Sequence, residues 1–441
     1  MRLRSLKDAD AASRWTELPF DISSIIFDHV VASFPVQNYD ADTTRAEYTE
    51  SETALKQCFL AFALVCHPWH AAAMPYFLRV LSFRFGASPS ARSRGLSDIL
   101  QWLDTQPRLP TAVRHLRLVM AEPTSNGCDP ALLHTLLRRF PNMRAFELFN
   151  AVFDSAQLAA HISMLTTAHT DAFAPIDVDT LTIVYGVRRP PDADAAQLCV
   201  AWFGRVSTFV VRALPRSGWT MRVSGALDRL PARLAACTLV LDIYSVPAGV
   251  AACLHRSPTF EPRTGTLRTL RIALTPFSQA TLGALVRPAA HTLEALHLDL
   301  TSYFARRLPR TVVDIDIDLD LDDLRTRELT LQFPLMHDTS EAAACWTVVQ
   351  AVIDALRLRG VRRVTLVLHD DSGVEPTLAY LGHGPRLARI DALLAGVPTL
   401  ERCTLDLRAV LDAFGVLAQR KAWFRNHMAG LDARGLLCIV A

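Results

Sequence analysis

The densest run of possible ligands is VVDIDIDLDLDD, in which Asp314, Asp316, Asp318, Asp320, Asp322 and Asp323 stand between aliphatic residues. Carboxylates at every second position of an extended strand share one side, where they could hold a divalent cation. The calcium-loop pattern is not met, because Leu319 stands where that loop turns on glycine and Arg325 where it closes on glutamate. The run reads instead as an extra strand or a loop with one wet acidic face, able to attract the basic part of a partner. Cys66, His67 and His70 bracket Trp69 without the second half of a zinc framework. His369-Asp370-Asp371-Ser372 and Gly382-His383-Gly384 contain the letters of a hydrolase, yet no Gly-x-Ser-x-Gly elbow presents a nucleophile. Arg306-Arg307 and Arg362-Arg363 lack interleaved aromatics and stand near acidic residues, so no nucleic-acid partner is expected. The chemistry left is recognition: no cofactor, no metal, not an enzyme.

Recognition residues need elements to position them, and a recurring pattern supplies these. Two apolar residues flank a single residue, often after threonine or a charge: HLRLV at 115, AFELF at 145, TLTIV at 180, TFVVR at 208, TLVLD at 238, TLRIA at 269, ALHLD at 295, ELTLQ at 328, TLVLH at 365, TLDLR at 404 and, more loosely, LLCIV at 436. The copies lie about 26 to 39 residues apart. Helical stretches fill the gaps: ALLHTLLRRF before Pro141, ADAAQLCVAWF before Gly204, QATLGALVR before Pro288, SEAAACWTVVQAVIDALRLRG, and LARIDALLAGV before Pro398. Strand followed by helix, repeated, forces parallel strands. A doubly wound sheet would bring a Gly-rich phosphate loop, and neither Gly-x-Gly-x-x-Gly nor Gly-x-x-x-x-Gly-Lys occurs. Short strands with one apolar pair suit a half-covered sheet, so the expectation is an α/β solenoid over 96–441, with parallel strands inside and helices outside.

Period-two alternation turns Leu116 and Leu118, Leu181 and Ile183, Leu239 and Leu241, Leu270 and Ile272, Leu296 and Leu298, and Leu405 and Leu407 toward the helices. Their neighbours Arg117, Thr182, Val210, Arg212, Val240, Asp242, Arg271, His297, Asp299, Thr330, Gln332, His369, Asp406 and Arg408 then line a concave surface. Arg117, Arg212, Arg271, His297, Asp299, Thr330, His369, Asp406 and Arg408 are the candidates for holding a target protein.

In 441 residues, 46 basic and 44 acidic side chains leave a formal charge of +2, which gives no field toward nucleic acid or an anionic membrane. Nine cysteines without Cys-x-x-Cys spacing read as reduced core residues. Residues 1–14 read as a disordered tail without the apolar run of a signal peptide, and no window is long and apolar enough to span a bilayer. A cytoplasmic or nuclear protein is expected.

The stretch 15–85 carries a different signal. Leu18-Pro19 opens a short amphipathic run with Ile22, Ile25, Ile26, His29 and Val30 on one helical face, and Leu64-Val65-Cys66-His67-Pro68-Trp69 closes a second apolar block that runs on through MPYFLRVLSF. Leu-Pro at the mouth of the first helix, spaced aliphatics and the Leu-Val-Cys-x-x-Trp ending resemble an F-box. Pro68 replaces the usual polar residue, and a polar insertion near 35–53 is expected to loop out. The repeats resemble the irregular leucine-rich repeats that follow F-boxes in many fungal (basidiomycete-type) proteins. The resemblance implies a substrate-recognition subunit of a Skp-cullin-F-box ubiquitin ligase. Leu18, Pro19, Ile22, Ile25, Ile26, Leu64, Val65, Cys66 and Trp69 would bind the Skp-type adaptor, and the solenoid would bind an unknown target. The alternative is a leucine-rich interaction scaffold whose F-box has decayed; a third reading is an enzyme on a parallel sheet with helices on both faces.

Overall fold

Each of the eleven copies of the apolar pair is a strand, and one further strand precedes them. The computed structural model describes residues 25–27, 29–30, 45–64, 67–85, 95–120, 128–167, 174–185, 194–213, 230–242, 248–261, 264–273, 279–301, 326–334, 347–354, 360–369, 384–408 and 417–440. The strands are β1 (Val80–Phe85), β2 (His115–Met120), β3 (Ala145–Phe149), β4 (Ile176–Tyr185), β5 (Phe203–Ala213), β6 (Ala235–Asp242), β7 (Thr269–Ala273), β8 (Ala295–Asp299), β9 (Glu328–Pro334), β10 (Arg363–His369), β11 (Arg402–Asp406) and β12 (Leu437–Val440). The chain divides into two units, one made of Met1–Ser125 with Ala131–Leu148 and one of Asn126–Pro130 with Phe149–Ala441. Within each, the strands follow chain order without the reversal that defines a doubly wound sheet.

In the first unit, the helices Arg45–Ala63 and His67–Phe77 and the helical residues 25–27 and 29–30 share one core. Phe27, Leu55, Phe59, Ala63, Ala72 and Ala73 are buried there, with Ile26, Phe62, Trp69 and Tyr76 packed around them. Phe27 is the hub, meeting Phe59 edge-on at 5.6 Å between ring centroids, Trp69 at 5.7 Å and Tyr76 at 5.5 Å. Two expectations change here. The helix Arg45–Ala63 takes in 45–53, nearly half of the insertion expected to loop out, and 35–44 lie outside the described residues. Ala, Glu and Lys favour helix, and extending a turn already nucleated around Leu55 and Phe59 is easier than starting a new one. In addition, VLSFRF is the first strand of the sheet, pairing in parallel with β2 from Val80↔His115 to Phe85↔Met120, so the repeats begin inside the stretch read as the tail of the helical module. The helix Leu96–Asp104 returns the chain from β1 with Leu96, Ile99 and Leu103 buried.

In the second unit, parallel pairing runs from β4 to β12. The inward pairs are the core: Leu181, Leu239, Leu241, Leu270, Ile272, Leu298, Leu331, Leu366 and Leu405 have no measurable exposure. Register corrects the pattern at β10, and at β12, where Ile439 and not Leu437 stands beside Leu405. Val364, not Leu366, stands beside Leu329, so the motif has moved two residues along β10. The helices Asp194–Trp202, Ala248–His255 and Gln279–Ala289 pack on one another in succession. The last of these continues through Pro288 instead of stopping before it. The first is buried along its whole length, and the Tyr185 hydroxyl oxygen accepts from the Ala196 N–H near its start at 3.3 Å. It passes straight into β5, and Gly204 is required there: a Cβ would lie 2.7 Å from Asp177 Oδ1, which accepts the Arg205 N–H at 2.8 Å. At the far end, Asp391 accepts the N–H groups of Gly430 and Leu431, each at 2.8 Å, and so ties the helix Gly384–Ala395 to the short helix Ala429–Ala433.

Cys199, Cys253 and Cys403 are buried free thiols, but Cys58, Cys128 and Cys438 are half-buried and Cys237 is exposed, so a core role holds for only part of the set. Burial pushes the Cys403 thiol up to about 12. The expected tail at 1–14 and the acidic run at 314–323 lie outside the described residues.

Two tests follow from this packing. Gln197 is wholly buried with no hydrogen-bond partner for either side-chain polar atom; an unsatisfied buried amide costs about 1 to 3 kcal/mol. Gln197→Leu should therefore raise the urea midpoint, whereas Leu298→Ala should lower stability by about 2 to 5 kcal/mol. His161 is buried and accepts the Trp202 Nε1–H at 3.2 Å. Burial pushes its pKa below the ordinary value, against the opposing pull of Asp129. The unfolded chain thus takes up a proton that the folded chain refuses, and the associated stability is present above the ordinary histidine range and lost as pH falls through it. Unfolding free energy should drop between about pH 7 and pH 5. His161→Gln, which keeps an acceptor for Trp202, should flatten that drop.

Candidate protein-interaction surfaces

Parallel register places the outward residues in rows. In the second unit one row reads Thr182, Val210, Val240, Arg271, His297, Thr330, Thr365, Thr404 and Cys438. The next, two residues along, includes Asp299, Gln332, Val367 and Asp406. Arg271, His297, Thr330 and Asp299 are therefore neighbours on β7, β8 and β9, at the spacing of adjacent strands. All four are half-exposed.

The face is not uniform. On β4 to β6 the outward Thr182, Val184, Val210 and Val240 are as buried as the inward pairs, Thr182 completely so. From β7 to β11 the outward residues Arg271, His297, Asp299, Thr330, Gln332, Thr365, Val367 and Thr404 are half-exposed. Burial of the row that starts at Thr182 ends at Arg271, from which the row is half-exposed.

Several of the charged candidates already hold partners within the chain. Arg212 is buried and pairs with Asp242 at 3.1 Å. Asp406 is buried and gripped by the Arg408 guanidinium, whose hydrogen bonds hold its carboxyl below the usual carboxylate range. Asp299 Oδ1 accepts the backbone N–H of Thr301 at 2.9 Å and its hydroxyl at 2.6 Å. The side chain of His369 lies outside the described residues, although its backbone closes β10.

In the first unit, Arg117 is 6% exposed and its Nε lies 3.3 Å from Glu147, itself 2% exposed. The other Glu147 oxygen is 3.1 Å from His115 Nε2. Glu147 was invisible as a partner in the sequence, because the pairing depends on which strand lies next to β2. Buried charges in such a group are structural before they are functional.

The helical module presents a different surface. Ile25, Leu60 and Leu64 are 68%, 51% and 77% exposed. Of the large apolar residues exposed among the described ones, only Met164 stands elsewhere. Ile26 and Trp69 face the module's own core, Trp69 lying 5.6 Å from the Phe62 ring. Leu18, Pro19, Ile22, Val65 and Cys66 lie outside the described residues. Leu60 went unread because it falls between the core residues Phe59 and Phe62; helical phase, placing it one position from Phe59, is the signal that could have found it.

No protein-family model matches the chain, and no curated protein is significantly similar to it. Among the described residues no helix is long and apolar enough to cross a membrane, and no group of three His, Cys, Asp or Glu side chains could hold a metal ion.

The contrast between buried and half-exposed charges gives a prediction. Glu147→Ala leaves Arg117 buried without its counter-charge and should cost about 3 to 5 kcal/mol in chemical denaturation. Arg271→Ala, at a half-exposed position, should cost under about 1 kcal/mol.

Proposed function

We propose that the chain is the substrate receptor of a Skp-cullin-F-box ubiquitin ligase, in which the N-terminal helices dock a Skp-type adaptor and the repeat sheet holds a target protein. The chain does no bond chemistry itself. The supporting observation is the concentration of exposed apolar side chains on the module whose sequence resembles an F-box: Ile25, Leu60 and Leu64. Aliphatic side chains left wet beside a well-packed aromatic core are the mark of a surface that another protein covers. The open polar part of the sheet, centred on Arg271, His297, Asp299 and Thr330, supplies a separate surface for the target, with the mixture of a fork-shaped cation and adaptable hydroxyls that suits protein recognition.

Co-expression with a Skp-type adaptor should give a complex that survives size exclusion. Ile25→Asp with Leu64→Asp should reduce recovery of the adaptor by at least about tenfold, because each substitution buries a charge at the interface. Both positions are exposed, so melting of the free chain should be unchanged. Wild-type chain that remains free in excess adaptor would reject the receptor reading in favour of a scaffold with a decayed F-box.

A further inference from the structure

The edge of the first unit at which its strands start is strongly basic. Residues 79, 104–114 and 138–144 contain Arg79, Arg108, Arg114, Arg138, Arg139 and Arg144 against a single carboxylate, Asp104. Three of these arginines are stacked by the backbone. The N–H groups of Arg114 and His115 both donate to the Arg79 carbonyl at 2.9 Å, and those of Arg144 and Ala145 donate to the Arg114 carbonyl at 2.7 and 2.9 Å. Each arginine therefore stands one residue before its strand, about 4.8 Å from the next. The loops that carry the others are tied to the same edge: Arg139 pairs with Asp104 at 2.9 Å, Asn142 donates to the Thr111 carbonyl at 2.9 Å, and Arg114 Nη1 donates to the Asn142 carbonyl at 3.1 Å. Arg108, Arg138 and Arg144 are exposed.

The second unit fills the same position differently. Its strand-start row reads Arg268, Glu294, Arg327, Arg362 and Glu401, joined by the same carbonyl-sharing bonds. Arg268 pairs with Glu294 at 3.6 Å and Arg362 with Glu401 at 3.2 Å, while Arg363, one residue further along, pairs with Glu328 at 2.8 Å. Like charges on neighbouring strands oppose one another. The second unit sets carboxylates in this row, whereas the first unit has arginine at all three places.

We propose that this arginine edge binds an acidic segment of a partner protein, whose carboxylates take the positions that Glu294 and Glu401 occupy in the second unit. Guanidinium forks hold carboxylates in two bonds each. A nucleic acid fits less well: the one aromatic residue in these segments, Phe140, is buried and offers no ring for a base, and a formal charge of +2 gives no long-range field. The surface is separate in sequence from Ile25, Leu60 and Leu64 and from β7 to β11, so it stands whether or not the ligase reading does.

The test uses the full chain, fluorescence anisotropy, a labelled Asp/Glu-rich peptide, its Asn/Gln counterpart and a single-stranded RNA of equal charge. The acidic peptide should bind at low salt and weaken as salt rises, and the Asn/Gln peptide should not bind. Arg108→Glu with Arg144→Glu should weaken the acidic peptide at least about tenfold, while Arg327→Glu, at the equivalent place in the second unit, should change it less than about twofold. Should the double variant melt early, Arg108→Gln with Arg144→Gln replaces it under the same criteria. The proposal is overturned by a wild-type chain that ignores the acidic peptide, by RNA binding more tightly than the peptide, or by equal losses from the edge and Arg327 variants.

Discussion

A strand can be followed by a parallel neighbour only if the chain is carried back to the same end, and that return must bury an apolar face against the sheet. Here the requirement recurs at every repeat. Its solution is the apolar pair, with Leu239 and Leu241, Leu270 and Ile272, or Leu296 and Leu298 pointing into the space that the returning helices close. Because strand order follows the chain, each pair stands beside the pairs before and after it, and a continuous core forms from residues that are local within each repeat. The outward residues are then free of any packing duty toward the helices. What they do is decided strand by strand.

That freedom is used in three ways. On β4 to β6 the outward Thr182, Val184, Val210 and Val240 are hidden with the core, and Arg212 is buried against Asp242. On β2 and β3 it carries the buried pair Arg117 and Glu147, with His115 beside Glu147. From β7 to β11 it is polar and half-exposed, with Asp299 satisfied by Thr301 and Asp406 by Arg408, and with Arg271, His297 and Thr330 aligned across three strands. The same register that aligns side chains for recognition also aligns charges that must be neutralised, which is why the strand-start rows of the second unit pair arginine with glutamate.

Much of this was legible in the residues. Alternation in TLTIV or ALHLD is a period-two signal that only a strand satisfies, and all eleven copies are strands. Less legible were features set by neighbours far away in sequence. VLSFRF lacks the threonine-led form of the later copies and is a strand because β2 lies beside it. The two-residue shift at Val364 is a property of pairing with Leu329, which the local motif does not contain. Glu147 reads as a solvated charge until β2 brings His115 and Arg117 within reach. In the helical module the sequence did not separate the two sides of the apolar stretch: Trp69 turns into the core around Phe27, and Leu60 turns out. Helical phase separates the two only when the helix boundaries are known, and the polar run before Leu55 concealed that the helix starts at Arg45.

The central claim of the proposed function is that adaptor and target use separate surfaces, an apolar one on the N-terminal helices and a polar one on the sheet. Hydroxyl-radical footprinting of the full chain with and without a Skp-type adaptor examines both surfaces in one experiment. The account predicts protection of Ile25, Leu60 and Leu64 on adding adaptor, with the reactivity of His297 on β8 unchanged. Protection of His297, or no protection of the three aliphatic residues in excess adaptor, would contradict it.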